Sequence, residues 1–312
     1  MNRDISLDTL KGFLIVLVIL GQLIGSLNSS GGGGAIWNLI YTFHMPLFVL
    51  ISGYFSRRDK LKISNIIKPL LAFQFINVIL LLALGNGFSV SYLLVPYWTL
   101  WYLLSLVFWR IILRYTPQWI LKNPSLLLCI TFIAALFIGT FLPHGRILSI
   151  QRTISFLPFF LMGYYFKANL IKQTLWSKKV SWFLLIAVSI VILFIWFPSN
   201  ASILLRGADP YSISDIPAKL FILCCTIVLI YSLWNIKFEN DCFAKIGKDS
   251  LFYYLYHGLF MKFLIALLVV KVGLPTNLWC CMVYLFLILI ALHLMSKINI
   301  FRWFVNPTIK QQ

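Results

Sequence analysis

The stretch LDTLKGFLIVLVILGQLIGSL, residues 7–27, decides the fold. Between Lys11 and Gln22 it holds ten consecutive residues that are apolar or glycine. Coiled at ~1.5 Å per residue, such a run reaches across a hydrocarbon core of roughly 30 Å. Comparable runs recur at 36–54, 65–86, 97–114, 125–142, 153–166, 181–198, 217–236, 249–270 and 276–297. The expectation is an all-α polytopic membrane bundle of about ten transmembrane helices, because in lipid only helices or closed barrels satisfy the backbone. The sixth run is the shortest and contains Pro158. The first follows Arg3, contains Lys11 and lacks a small-residue cleavage site, so it reads as a retained span and not a removed signal.

Composition points the same way. The chain is 61% hydrophobic and 11% charged, with a mean hydropathy of +0.92, too little polar surface for a water-soluble globule of 312 residues. Its 26 Lys and Arg against 8 Asp and Glu leave a net charge of +18. Those cations lie in short segments between the apolar runs, which is the positive-inside pattern and not a nucleic-acid footprint. With the N-terminus inside, the inner connections receive Arg57, Arg58, Lys60 and Lys62, then Arg114 and Lys122, then Lys167, Lys172, Lys178 and Lys179, then Lys237, Lys245 and Lys248. The outer stretches Ser29 to Gly34 and Gly85 to Pro96 carry no charge. Both termini are therefore expected on the cytoplasmic side, with residues 1–312 forming a single integral-membrane domain. The 6 cysteines lack metal-ligand spacing and read as small buried side chains, and no metal site is expected.

Ionisable and amide groups inside apolar spans are expensive, so each is a candidate for function, against a background of lysines and arginines that snorkel from span ends. Asp8 and Lys11 share one helix face near the inner surface and can pair. Gln22 lies roughly 22 Å up the first span and His44 roughly 12 Å into the second from outside, which puts both in one layer. A neutral histidine beside an amide serves as a general base or as an interhelical hydrogen-bonding group. His257, in LYHGL, and His293 lie toward the inner ends of their spans and can face a cytoplasmic cavity. His144 and Arg146 fall in an outer loop. Arg152, where the sixth span begins, is an interfacial anchor or a fixed cation for a substrate carboxylate, phosphate or carbonyl oxygen. Tyr97, Trp98, Trp101 and Tyr102 open the fourth span as an aromatic belt or, on the sharper reading, a sugar-stacking platform. No phosphate-binding glycine loop, serine-nucleophile elbow, zinc-protease helix or dinucleotide fingerprint occurs.

The run Leu7-Asp8-Thr9-Leu10-Lys11-Gly12 resembles the acyltransferase-3 family, as do Tyr41-Thr42-Phe43-His44-Met45-Pro46-Leu47-Phe48 and Ile51-Ser52-Gly53-Tyr54. The resemblance is closest to its fucose 4-O-acetylase-like branch. It continues in order through Leu100-Trp101-Tyr102, the segment Arg152 to Phe160 with Gly163-Tyr164, and Ile246-Gly247-Lys248-Asp249-Ser250-Leu251 ahead of Tyr254 to His257. It implies a bacterial inner-membrane O-acyltransferase that moves an acetyl or other acyl group from cytoplasmic acetyl-CoA (acyl-CoA) to a hydroxyl of a cell-envelope polysaccharide or its lipid-linked precursor. No permanently bound cofactor is implied, and the oligomeric state is left open. On this resemblance Asp8, Lys11, Arg57, Arg58, Trp101, Tyr102 and His257 serve acyl-CoA or substrate binding, while Gln22, His44 and Arg152 are the catalytic candidates.

Members of the family commonly carry a histidine, taken as catalytic, where this chain has Gln22. Glutamine donates and accepts hydrogen bonds but takes no proton at neutral pH. Either His44 is the base, or the chain is a natural inactive relative, or position 22 was changed from histidine to trap a ligand. Two readings outside enzymology also stand: a transporter or flippase, which predicts inverted repeats that are not evident, and a non-catalytic partner in polysaccharide assembly.

Overall fold

The computed structural model of the protein describes residues 4–27, 34–56, 63–83, 85, 87–142, 145–195, 197–265, 273 and 278–305. Among them every regular element is helical. In chain order the helices are α1 (Ile5–Leu27), α2 (Ala35–Tyr54), α3 (Ser64–Ala83), α4 (Ser91–Leu94), α5 (Trp101–Tyr115), α6 (Gln118–Leu121), α7 (Pro124–Phe141) and α8 (Ile150–Ala168). They continue with α9 (Lys178–Ile190), α10 (Ala201–Arg206), α11 (Ile216–Ile236), α12 (Asp241–Lys248), α13 (Ser250–Leu264), α14 (Leu278–Met295) and α15 (Asn299–Val305). Nine helical stretches among the described residues are long and apolar enough to cross a membrane. The run expected at 249–270 is helical over Ser250–Leu264, and residues 266–272 lie outside the described set. The sixth span starts three residues earlier than expected, at Ile150.

Large apolar side chains such as Phe75 on α3, Ile130 on α7, Phe183 on α9 and Phe286 on α14 point outward. An apolar outer surface of that extent is stable only against lipid, so the chain is a multi-pass membrane protein. The cysteines divide, with Cys225 and Cys281 buried while Cys129, Cys224 and Cys242 are exposed, which corrects the expectation that all six fill the interior.

The described residues form two compact units. One comprises Met1–Gly33, Ser64–Leu100 and Glu239–Gln312; the other comprises Gly34–Ile63 and Trp101–Phe238. In the first unit α1 lies along the short α12 and also touches α13 and α14. Asn240 starts α12 by accepting the Phe243 amide at 3.1 Å, Asp241 occupies its first turn, and Lys245 and Lys248 its last. Charges so placed complement the helix dipole. The fit between α1 and α12 is reciprocal: a Cβ on Gly12 would strike the Phe243 carbonyl, and one on Gly247 would strike the Asp8 carbonyl. Close backbone approach through small residues is how helices associate where lipid removes the hydrophobic drive. Beside this seam the Thr9 hydroxyl donates to the Asn240 carbonyl at 3.3 Å and accepts the Asn240 amide at 3.2 Å.

The second unit uses the same device between two spanning helices. A Cβ on Gly53 of α2 would strike the Phe160 carbonyl of α8, and one on Gly163 would strike the Leu50 carbonyl. Helix α11 packs on α2 and on α9, and α7 on α8. Pro46 has no amide hydrogen and so leaves the Thr42 carbonyl, four residues back, without its helical donor. Thr226 of α11 supplies one, its hydroxyl sharing its proton between the Thr42 carbonyl at 2.9 Å and the Ile222 carbonyl of its own helix at 2.8 Å. The segments expected as outer loops near 144–152 and 200–216 are partly helical. They are strapped down by Arg146 on Asp209 at 2.5 Å and by Tyr211, whose hydroxyl donates to the Leu136 carbonyl at 2.8 Å. Burial pushes the Tyr211 phenol above its ordinary pKa, so it stays a donor.

Candidate functional site

Among the described residues each unit contains one buried histidine, and the two are held in the same way. In the first, His257 is fully buried on α13 and its Nδ1–H donates to the Tyr253 carbonyl at 3.1 Å. A carbonyl only accepts, so this bond assigns the proton to Nδ1 and leaves a lone pair on Nε2. That Nε2 lies 3.1 Å from the side-chain amide of half-buried Gln22 on α1. The atom facing it is Gln22 Oε1; since Nε2 carries no hydrogen in this tautomer, the bond requires the amide to be turned so that its NH2 donates to His257. Nearer the start of α1, Lys11 pairs with buried Asp8 at 2.7 Å, the pairing expected from their spacing. Arg57 and Arg58, also assigned to acyl-CoA, lie outside the described residues, as do Lys60, Lys62 and His144.

In the second unit His44 is 3% exposed, and its Nδ1–H donates to the Ile40 carbonyl at 2.7 Å. Its Nε2 makes no hydrogen bond among the described residues. The ring meets the Tyr41 ring edge-on at 4.7 Å, and Tyr41 stacks on Trp37 at 3.8 Å. Two arginines cover this aromatic group: the Arg206 guanidinium stands 5.6 Å above Trp37, and both Arg206 and Arg152 act electrostatically on Tyr41. Arg152 lies 4.9 Å over the Trp101 ring and donates through Nε to the Arg206 carbonyl at 3.2 Å.

The expected aromatic belt divides. Trp101 and Tyr102 are not lipid-facing: they are 9% and 4% exposed, Trp101 packs on Phe156, and Tyr102 bonds the Ser52 hydroxyl at 2.5 Å. Tyr97 and Trp98 instead flank the Lys262 ammonium, at 4.1 and 5.5 Å from the ring centroids. Structure thus brings Gln22 to His257, Asp8 to Lys11, and Arg152 to Trp101. His293 is 3.5 Å from the Tyr253 hydroxyl.

Two residues of the second unit, Arg206 and Lys219, are not singled out by the sequence, and Tyr41 stands there only as part of a motif, without a site role. Lys219 is 6% exposed and donates to the Leu204 carbonyl at 2.6 Å. Its signal was present, a lysine just inside the eighth apolar run, but at a span end it matches a snorkelling residue. Among the described residues no group of three or more His, Cys, Asp or Glu could hold a metal. Chemically, the second unit offers a neutral imidazole with an available lone pair, fixed cations and aromatic faces, the requirements for taking a proton from a hydroxyl and steadying the resulting charge.

A family model described as an acyltransferase domain matches residues 4–295. The nodulation protein NolL of Mesorhizobium japonicum is 52% identical over 60 residues, 18% of this chain and 16% of that protein. The nodulation protein NolL of Sinorhizobium fredii is 44% identical over 68 residues, 20% of this chain and 18% of that protein. The chain therefore matches less than a fifth of the length of these curated relatives. No solved structure matches it.

Proposed function

The chain belongs to the acyltransferase-3 family and is a membrane acyltransferase; from that premise we propose that it carries an acetyl or other acyl group from cytoplasmic acyl-CoA to a hydroxyl of a cell-envelope glycan or its lipid-linked precursor. The location is the bacterial inner membrane, with both termini inside, in keeping with the charge bias of the connections. The chain acts as one catalytic domain, a reading supported by a family model that runs through segments of both units.

His44 is the base. The observation that carries this assignment is the Nδ1–H bond to Ile40, which leaves Nε2 unprotonated, where Gln22 can take no proton. Nε2 removes the hydroxyl proton as the oxygen attacks the thioester carbonyl, and Arg152 steadies the oxyanion. Collapse expels the CoA thiolate, which takes the proton back from the imidazolium. Trp101, packed under Arg152, and Tyr102 form the wall against which the sugar rests. Lys11, held by Asp8, and Arg57 and Arg58 are the cations assigned to the phosphates of CoA.

The test incubates purified protein with radiolabelled acetyl-CoA and membranes from a glycan-producing host, and reads label in the glycan and CoA release. Transfer that persists in the chain with Gln22 and disappears in His44→Ala supports the assignment. Transfer that needs Gln22→His moves the base to position 22. Failure of every form to bind acetyl-CoA overturns the donor and brings the transporter reading forward.

A further inference from the structure

Helix α10 ends at Arg206, and Gly207 follows with φ +57°, closing the helix in the left-handed region that suits glycine. Cations gather on this last turn. Lys219 donates to the Leu204 carbonyl, Arg152 donates to the Arg206 carbonyl, and Arg206 projects from the turn itself. Positive groups at a helix C-terminus complement its dipole, which accounts for part of the arrangement. It does not account for the charge on Lys219. One carbonyl engages one of three N–H donors, and an ammonium this buried, near the start of an otherwise apolar span, is expensive unless an anion neutralises it.

The protein supplies no such anion among its described residues. The second unit has two described carboxylates, and both are engaged: Asp209 holds Arg146, and Asp215 accepts from Asn200 at 2.5 Å and from the Ser212 hydroxyl at 2.9 Å. Neither pairs with Lys219 or Arg206. Above Lys219 is a cavity of about 20 Å³, lined by Tyr41, Ser155, Phe156 and Gly207 besides the lysine. That volume admits one water-sized atom, so it suits a single oxygen of an anionic group whose remainder stays outside. The same Tyr41 contacts His44.

We propose that this turn of α10 binds a negatively charged group of the acceptor, a sugar carboxylate or phosphate, with one oxygen directed into the cavity toward Lys219 and the others facing Arg206. The Tyr41 ring, half-buried at the wall of the cavity, takes the apolar face of the sugar. The acceptor is accordingly an anionic glycan unit and not a neutral one. The assignment to an acceptor rests on His44 being the base, whereas the anion site itself does not.

Purified protein in a neutral detergent is titrated with glucuronate, glucose 1-phosphate, inorganic phosphate and glucose, with the thermal unfolding midpoint and equilibrium binding as readouts. Glucuronate or glucose 1-phosphate is expected to bind at least about tenfold tighter than glucose, the size of effect that one charge-assisted contact supplies. Arg206→Gln, at an exposed position, and Lys219→Met should each abolish that preference while acetyl-CoA still binds. If Lys219→Met does not fold, Arg206→Gln decides. Equal binding of glucose and glucuronate overturns the proposal, as does a preference that survives Arg206→Gln. Inorganic phosphate binding as tightly as glucose 1-phosphate overturns the sugar part. If the anion preference holds but no glycan is ever labelled from acetyl-CoA, the site stands and the proposed function falls.

Discussion

The two compact units each hold a buried histidine whose Nδ1–H is tied to the carbonyl four residues earlier, Ile40 for His44 and Tyr253 for His257. The helix alone sets the tautomer in both, and both present Nε2. What differs is the neighbour. His257 meets the Gln22 amide at 3.1 Å, a contact that satisfies the lone pair once the amide presents its NH2. His44 makes no Nε2 hydrogen bond among the described residues and meets the edge of the Tyr41 ring, on which Arg206 and Arg152 act. Identical local chemistry therefore leads to a side-chain contact at Nε2 in one unit and to an Nε2 without a hydrogen bond among the described residues in the other.

The glycine seams make a second comparison. Gly12 with Gly247 joins a spanning helix to one of eight residues, and Gly53 with Gly163 joins two spans of nineteen and twenty residues. A short helix at the end of a span can shift to admit a methyl group more readily than a second span buried along its length.

The largest effect expected is on catalysis. His44→Ala should lower acyl transfer by about 10²–10⁴-fold with acetyl-CoA affinity retained, the range for loss of a general base. His257→Ala should lower transfer by less than about tenfold, because the hydrogen bond it removes has a net worth near 1 kcal/mol. If the two variants lose activity equally, the contrast between the histidines collapses.

Next come the seams. Gly163→Ala should destabilise the protein by about 2–3 kcal/mol, since its Cβ meets backbone that has no room to move. Gly12→Ala should cost about 1 kcal/mol less, as α12 adjusts. Midpoints of detergent unfolding check the order, and a reversed order would show that the short helix is the more rigid partner.

Smaller still is Thr226→Val. It leaves the Thr42 carbonyl at Pro46 without a donor and should cost about 1–2 kcal/mol, with a several-fold fall in transfer as the His44 turn loosens. Unfolding and rate are read on the same preparation, and an unchanged rate would detach His44 from that brace. Gln22→Ala should be the mildest, about 1 kcal/mol of stability from an unsatisfied His257 Nε2 and a rate within threefold. A large rate loss there would move the centre of the chemistry to the first unit.

The spans were legible in the sequence because apolar length is a one-dimensional property: the lipid thickness that selects it does not depend on partners. The pairing of Asp8 with Lys11 was legible for a similar reason, three residues being one helix face. The short motifs were visible as separate strings, yet their meaning was not. Gly12 and Gly247 stand in two of them and interlock, and so do Gly53 and Gly163. Spacing along a chain carries no information about which distant backbone comes close enough to require a glycine. The choice for Trp101 and Tyr102 between a belt and a platform stayed open for the same reason, since an aromatic at a span end looks alike whether it faces lipid or a neighbouring helix.

By itself, then, the sequence determined that this chain is helical, crosses the membrane many times and carries a few polar groups inside, because each of those follows from transfer energies summed over local windows. Tertiary structure decided that Gln22 belongs to His257, that Thr226 repairs the gap left by Pro46, and that Lys219, Arg152 and Arg206 converge on one turn of α10. Those outcomes depend on contacts between residues up to 235 positions apart, where geometry and not composition selects the partner.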